Sequence, residues 1–144
     1  LVWCHSQEAK DRLAEHAAEG NQEKIKKAPA AVIIGMDPDF HLHLPELFPH
    51  ADAKSWFEHD AEARATHAMR NSSLQGGYLI LAARALGLDT GPMSGFDNDA
   101  VDKAFFDDQP SVKSNFISTL GYGDPSTIFD RSPRPDFAKF NSVI

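Results

Sequence analysis

Residues 82 to 106 read AARALGLDTGPMSGFDNDAVDKAFF. An apolar helix runs out at Leu86 and Gly87, and a second helix starts at Asp97. Between them the sequence predicts a loop carrying Gly91, Pro92, Ser94 and Gly95. A Gly/Pro/Ser loop between two helix ends lets backbone N–H groups face a flat or anionic ligand with no side chain in the way. An ordinary connector made of turn-forming residues is the alternative reading of the same composition.

Upstream of this loop, residues 60 to 86 are rich in Ala, Arg, Glu, Leu and Met and lack proline, which predicts one long helix. Ala31 to Gly35 form a β-branched run that predicts a strand buried on both faces. The chain opens on Leu1 to His5, an alternating strand-like run. Ser6 then caps a helix to about Ala18 that Gly20 closes, and Asn21 caps a short helix that Pro29 stops. Residues 37 to 50 hold three prolines and read as an irregular excursion or lid, with a short helix over Asp52 to Phe57. Downstream, Asp97 caps a helix to Phe106, and Asn115 to Tyr122 predict a strand that Gly123, Asp124 and Pro125 end. From Ser126 onward the chain reads as an arm.

Bulk properties narrow the function. With 144 residues the chain is long enough for one domain with a real core. Its net charge of −7 argues against a nucleic-acid partner, which needs clustered Lys and Arg. No apolar run approaches a membrane span. Cys4 is the single cysteine, so no internal disulfide forms, as suits a cytoplasmic protein. There is no GxGxxG motif to support a Rossmann fold.

The 82–106 stretch, with RNSSLQGGYLILAARA before it, resembles the "ALGL…PMxGFD" segment of the FMN-dependent nitroreductase family. Within that family it is most similar to the malonic semialdehyde (3-hydroxypropanoate) reductase branch of pyrimidine utilisation. The resemblance implies an α+β fold with an antiparallel-rich sheet flanked by helices, built as an intertwined homodimer. It also implies that this chain, residues 1–144, is a single nitroreductase-like domain lacking its N-terminal portion. Members of the family carry further residues before the first strand here, with an Arg-rich opening and a Ser-x-Asn loop that hold the flavin. A strand at the first residue fits the same expectation.

From the resemblance come the expected cofactor, FMN, and co-substrate, NAD(P)H. Hydride would pass from NAD(P)H to flavin N5 and on to a small acceptor in a ping-pong cycle, with malonic semialdehyde as the branch's acceptor. Broad nitroaromatic or quinone reduction, or a non-catalytic flavin-binding homodimer, are the rival readings. Pro92 and Met93 would cover a ring face, and the backbone of Ser94 and Gly95 would approach N5. Arg131 and Arg134 would grip the phosphate, since arginine offers a permanent charge and a bidentate fork. No side chain is assigned as a catalytic nucleophile.

Two further features carry expectations. Ser72, Ser73, Gly76 and Gly77 sit mid-helix, where each glycine costs about 1 kcal/mol relative to alanine. That predicts a close approach, either to another helix of the chain or, as the resemblance implies, to the same 60–86 helix of a homodimer partner. The histidines at 41, 43, 50, 59 and 67 lack the accompanying cysteines or HExxH spacing of a metal site. Phe40, Phe48, Trp56 and Phe57 either cover a flavin from the partner or pack as a satellite cluster.

Overall fold

The computed structural model describes residues 1–144. Four strands form one antiparallel sheet: β1 (Val2–Cys4), β2 (Ala30–Met36), β3 (Asp89–Met93) and β4 (Lys113–Gly121). Their spatial order is β1-β2-β4-β3. Five α-helices accompany them: α1 (Gln7–Glu15), α2 (Glu19–Lys27), α3 (Leu44–Leu47), α4 (Ala61–Ala85) and α5 (Asn98–Phe105).

Strand alternation explains how β2 can be buried on both faces. Ala31 and Ile33 join Leu13, Ala14, Ile25, Val101, Phe106 and Ile117 in the core beneath α1, α2 and α5. Val32 and Ile34, equally buried, turn to the opposite face, against which α4 lies.

Helix α4 buries a stripe of small residues: Ala68, Ser72, Gly76 and Ala83. The spacing of four between the first three puts them on one face. Three of the four mid-helix anomalies are explained by the chain's own sheet rather than by another helix. Ser72 Oγ donates to the Gly35 carbonyl at 2.8 Å, beside a register shift in β2. Asn115 Nδ2 on β4 donates to Ser72 Oγ and Ser73 Oγ, each at 3.1 Å. A Cβ on Gly76 would overlap the Phe116 ring. Gly77 alone faces away, with nothing within 4 Å of a Cβ placed there.

Gly76→Leu is therefore expected to destabilise the folded chain by about 1–3 kcal/mol through overpacking against the sheet. Chemical denaturation checks it. An unchanged midpoint would mean that α4 stands off from Phe116.

Asp60 caps α4, its side chain accepting from the Ala63 amide. The helix ends in a Schellman arrangement: Gly87 N–H donates to Arg84 O and Leu88 N–H to Ala83 O, at 3.0 and 2.9 Å. Gly87 has φ of +80°, which glycine adopts without steric cost.

Several sequence expectations need correction. The 89–93 part of the expected loop is an edge strand, paired with β4 from Asp89↔Gly121 to Met93↔Ile117. Pro92 is compatible with this because an edge strand has one unpaired side. Helix α1 ends at Glu15, not near Ala18, because Ala17 is drawn into a β-bridge with Phe96. Gly20 and Asn21 lie inside α2, whose N-cap is Ala18. Residues 52 to 57 form turns, and the excursion before them holds a 3-10 turn (Phe40–His43) and α3. Its aromatics pack within the chain: Phe57 lies edge-on to Phe40 at 5.0 Å and to His67 at 5.2 Å, and Phe48 meets Trp56 at 6.3 Å.

Candidate functional site

Residues 94 to 97 cross from the end of β3 to the start of α5. They are held there by antiparallel contacts with the link between α1 and α2. Asp97 N–H donates to His16 O at 2.8 Å, and Ala18 N–H donates to Gly95 O at 2.9 Å. Asn21 Nδ2 adds a second donor to the same Gly95 carbonyl at 3.1 Å. Within the segment, Phe96 N–H donates to Ser94 O at 3.1 Å. The α5 end is fixed as well: Asp97 accepts from the Ala100 amide, and Asn98 Nδ2 donates to Ser114 O at 2.8 Å. Buried Asp102 accepts the Ser114 N–H at 2.7 Å, completing the clamp of α5 on β4.

The amides of Ser94 and Gly95 are left over. Neither donates to any other group of the chain, whereas the Ser94 and Gly95 carbonyls and the Phe96 and Asp97 amides are engaged. Two adjacent free N–H groups on a backbone fixed from both ends can serve an electron-rich acceptor without reorganising. Beside them lies an open hollow of about 440 Å³, walled by Glu15 to Ala18 and Ser94 to Asp97. Pro92 is exposed, and Met93 is half-buried at the end of β3.

The need for glycine at 95 has a different origin from the one expected. The sequence reading placed its Cβ direction toward a ligand ring. The structure fills that direction with the chain's own atoms: a Cβ would stand 2.8 Å from Asn21 Nδ2 and 3.3 Å from Ala18 Cβ.

Arg131 and Arg134 are not brought to this segment within one chain. Both lie on an arm in which every residue from Tyr122 on is exposed, apart from the polar tie of Gly123 to β3. Arg134 donates only to the neighbouring Ser132 carbonyl. The largest hollow, a trough of about 600 Å³, lies at the other end of β3, between Lys24 and Lys27 of α2 and the Gly121–Asp124 exit. It mixes those lysines with Asp89 and Asp124 and contains none of the expected site residues.

Asn21 is the contact that sequence reasoning missed. It reads as a helix cap, and its partner is 74 residues away, so no local pattern points to it. Cys4 is buried at the sheet, where burial pushes its thiol up in pKa against a smaller opposing pull from Arg12. It stays a protonated, core-forming thiol. His41 is buried beside Phe40. No helix is long and apolar enough to cross a membrane.

The sequence matches the nitroreductase family over residues 1–122. The chain belongs to the nitroreductase family. A relative from Burkholderia lata, named as a candidate NADH dehydrogenase/NAD(P)H nitroreductase, is 60% identical over 137 residues. That match covers 95% of this chain and 70% of the relative. Among solved structures, a protein from Bacillus subtilis described as a candidate nitroreductase superposes with a TM-score of 0.89 at 22% identity, covering 99% of this chain and 76% of that one. One from Exiguobacterium sibiricum, solved in complex with FMN, gives 0.85 at 21% identity over 99% of this chain and 75% of its own. The chain thus shares its fold with these two solved structures.

Proposed function

We propose that this nitroreductase chain is an FMN-dependent NAD(P)H oxidoreductase that passes hydride to a small acceptor. The observation that carries the reading is the pair of unbonded amides at Ser94 and Gly95, fixed by the α1–α2 link. The residues present fit the edge of a flavin ring: two adjacent donors on a fixed backbone, and the exposed Pro92 with Met93 alongside. Support also comes from the names of relatives as NAD(P)H nitroreductases and from FMN in the Exiguobacterium sibiricum structure.

Bound flavin would supply the hydride chemistry, taking it from NAD(P)H and giving it to the acceptor at one ring position. The chain's part is to bind and orient. Ser94 and Gly95 N–H would polarise the ring edge, and the stacked link of residues 16 to 18 would keep those donors from turning away. Arg131 and Arg134 would hold the phosphate, reached by the arm of a second copy. No acid, base or nucleophile from a side chain is needed.

A homodimer through α4 belongs to the same reading. The outer face of α4 carries Leu74, Tyr78 and Leu81, exposed at 55%, 70% and 66%. With Gly77 they lie at helical spacing on the side opposite the small-residue stripe. The chain exposes 9974 Å², against roughly 7,300 Å² for a compact monomer of its mass. The exposed arm from Tyr122 on and the outer face of α4 both contribute to that excess. Gly77→Leu, which meets nothing within its own chain, should leave the isolated fold intact and weaken association. Sedimentation of the variant as an unchanged dimer would place Gly77 outside the interface.

For the acceptor we propose malonic semialdehyde, on the resemblance of residues 70–97. The names of the relatives favour nitroaromatics as a second reading. Steady-state rates with both acceptors, under saturating NAD(P)H, separate them. A kcat/KM for malonic semialdehyde no higher than for a nitroaromatic would sink the narrower assignment.

A further inference from the structure

We infer that Asn21 is a positioning residue for the segment that presents the Ser94 and Gly95 amides. The inference rests on the flavin reading of that segment and adds a residue from a distant element to it. Gly95 O accepts from Ala18 N–H at 2.9 Å and from Asn21 Nδ2 at 3.1 Å. Ser94 O accepts from Phe96 N–H, so both carbonyls flanking the Gly95 residue are tied down. A trans peptide is planar, so the held Gly95 carbonyl fixes the Phe96 N–H in its own plane, and the bond from that N–H to Ser94 O in turn fixes the plane that carries the Gly95 N–H. Glycine, lacking a Cβ, would otherwise let the unit swing through conformations closed to other residues.

Asn21 also explains why residue 95 is glycine. Its Nδ2 stands 2.8 Å from the place of a Gly95 Cβ, closer than real Cβ atoms approach a neighbour. The carboxamide and the missing side chain are therefore one device: Asn21 can reach the carbonyl only because residue 95 has no Cβ. Its location is suited to this, since Asn21 sits in the first turn of α2 and its own N–H is satisfied by Ala18 O at 2.7 Å. The side chain is free to act as a strut between α2 and the 94–97 segment.

The amide donors matter most when charge builds on the ligand, because fixed dipoles stabilise developing charge without reorganising. Asn21→Ala should keep the fold, since Ala18 N–H still holds the carbonyl. It should weaken FMN about tenfold, and shift the absorbance of bound flavin, as the two amides gain freedom. Asn21→Asp should do worse, because it sets a carboxylate against the Gly95 carbonyl. Asn21→Ser, which keeps a short donor, should recover part of the affinity.

The test measures FMN affinity and bound-flavin spectra for the full chain, wild type and variants, together with thermal unfolding of the flavin-free proteins. A double-mutant cycle with Gly95→Ala adds the decisive arm. Gly95→Ala should lose affinity beside Asn21 and lose less in the Asn21→Ala background, where its shortest contact is gone and Ala18 Cβ at 3.3 Å remains. If Asn21→Ala lowers only the unfolding temperature and leaves FMN affinity and spectrum unchanged, or if the two effects simply add, the inference is overturned while the flavin reading stands. If the wild-type chain fails to bind FMN at all, both fall together.

Discussion

Gly95→Val is expected to leave a folded chain that no longer takes up flavin. Valine would place its Cβ within 2.8 Å of Asn21 Nδ2 and 3.3 Å of Ala18 Cβ, with two methyl groups beyond. The Asn21 carboxamide and the 94–97 segment would have to part. The atoms that a Cβ at 95 meets belong to Asn21 and Ala18, on the link between α1 and α2 and the first turn of α2. The loss should therefore appear in FMN occupancy of the purified protein and leave its circular dichroism essentially intact. Normal occupancy would show that residue 95 does not face the cofactor. An unfolded product is distinguished by the smaller Gly95→Ala, whose Cβ displaces the Asn21 carboxamide without the two further methyl groups.

The second large effect is expected at the arm. Arg131→Ala and Arg134→Ala should each weaken FMN about tenfold or more, since hydrogen bonds to charged groups contribute about 1.5–3 kcal/mol. Riboflavin, which lacks the phosphate, should lose far less. Lysine at either position should restore part of the affinity by returning charge without the fork. Both arginines stand on an exposed arm and neither takes part in an ion pair of the chain, so their removal has little to disturb in the fold. Equal losses for FMN and riboflavin would assign them to folding or assembly instead.

Much of the fold could be read from local pattern. The β-branched Ala31–Ile34 run is buried on both faces, and the α4 boundaries follow from Asp60 as cap and Gly87 as stop. Asp97 as the cap of α5 follows from the same local chemistry. What failed locally was decided by pairing. Asp89 to Met93 has the composition of a loop, yet its neighbour β4 offers a full ladder of partners, and an edge position tolerates Pro92. Tertiary context overrides propensity most readily in strands.

The site was legible in part for the same reason. A glycine at 95 could be singled out from composition, but its physical cause could not, because Asn21 and Ala18 meet it only in three dimensions. Likewise Ser72, Ser73 and Gly76 were visible as anomalies in a helix. Their partners, Gly35, Asn115 and Phe116, lie on two strands that no spacing in α4 reveals. Gly77, expected in close contact with another helix, instead faces away from the chain's own sheet, alongside the exposed Leu74, Tyr78 and Leu81.

The most direct test is anaerobic visible spectroscopy of the purified chain loaded with FMN, before and after one equivalent of NADPH or NADH. The bound-flavin absorbance should bleach with the nicotinamide and return when a small oxidised acceptor is added, malonic semialdehyde or a nitroaromatic. A chain that binds FMN with its absorbance unchanged by either nicotinamide would contradict the assignment as an oxidoreductase.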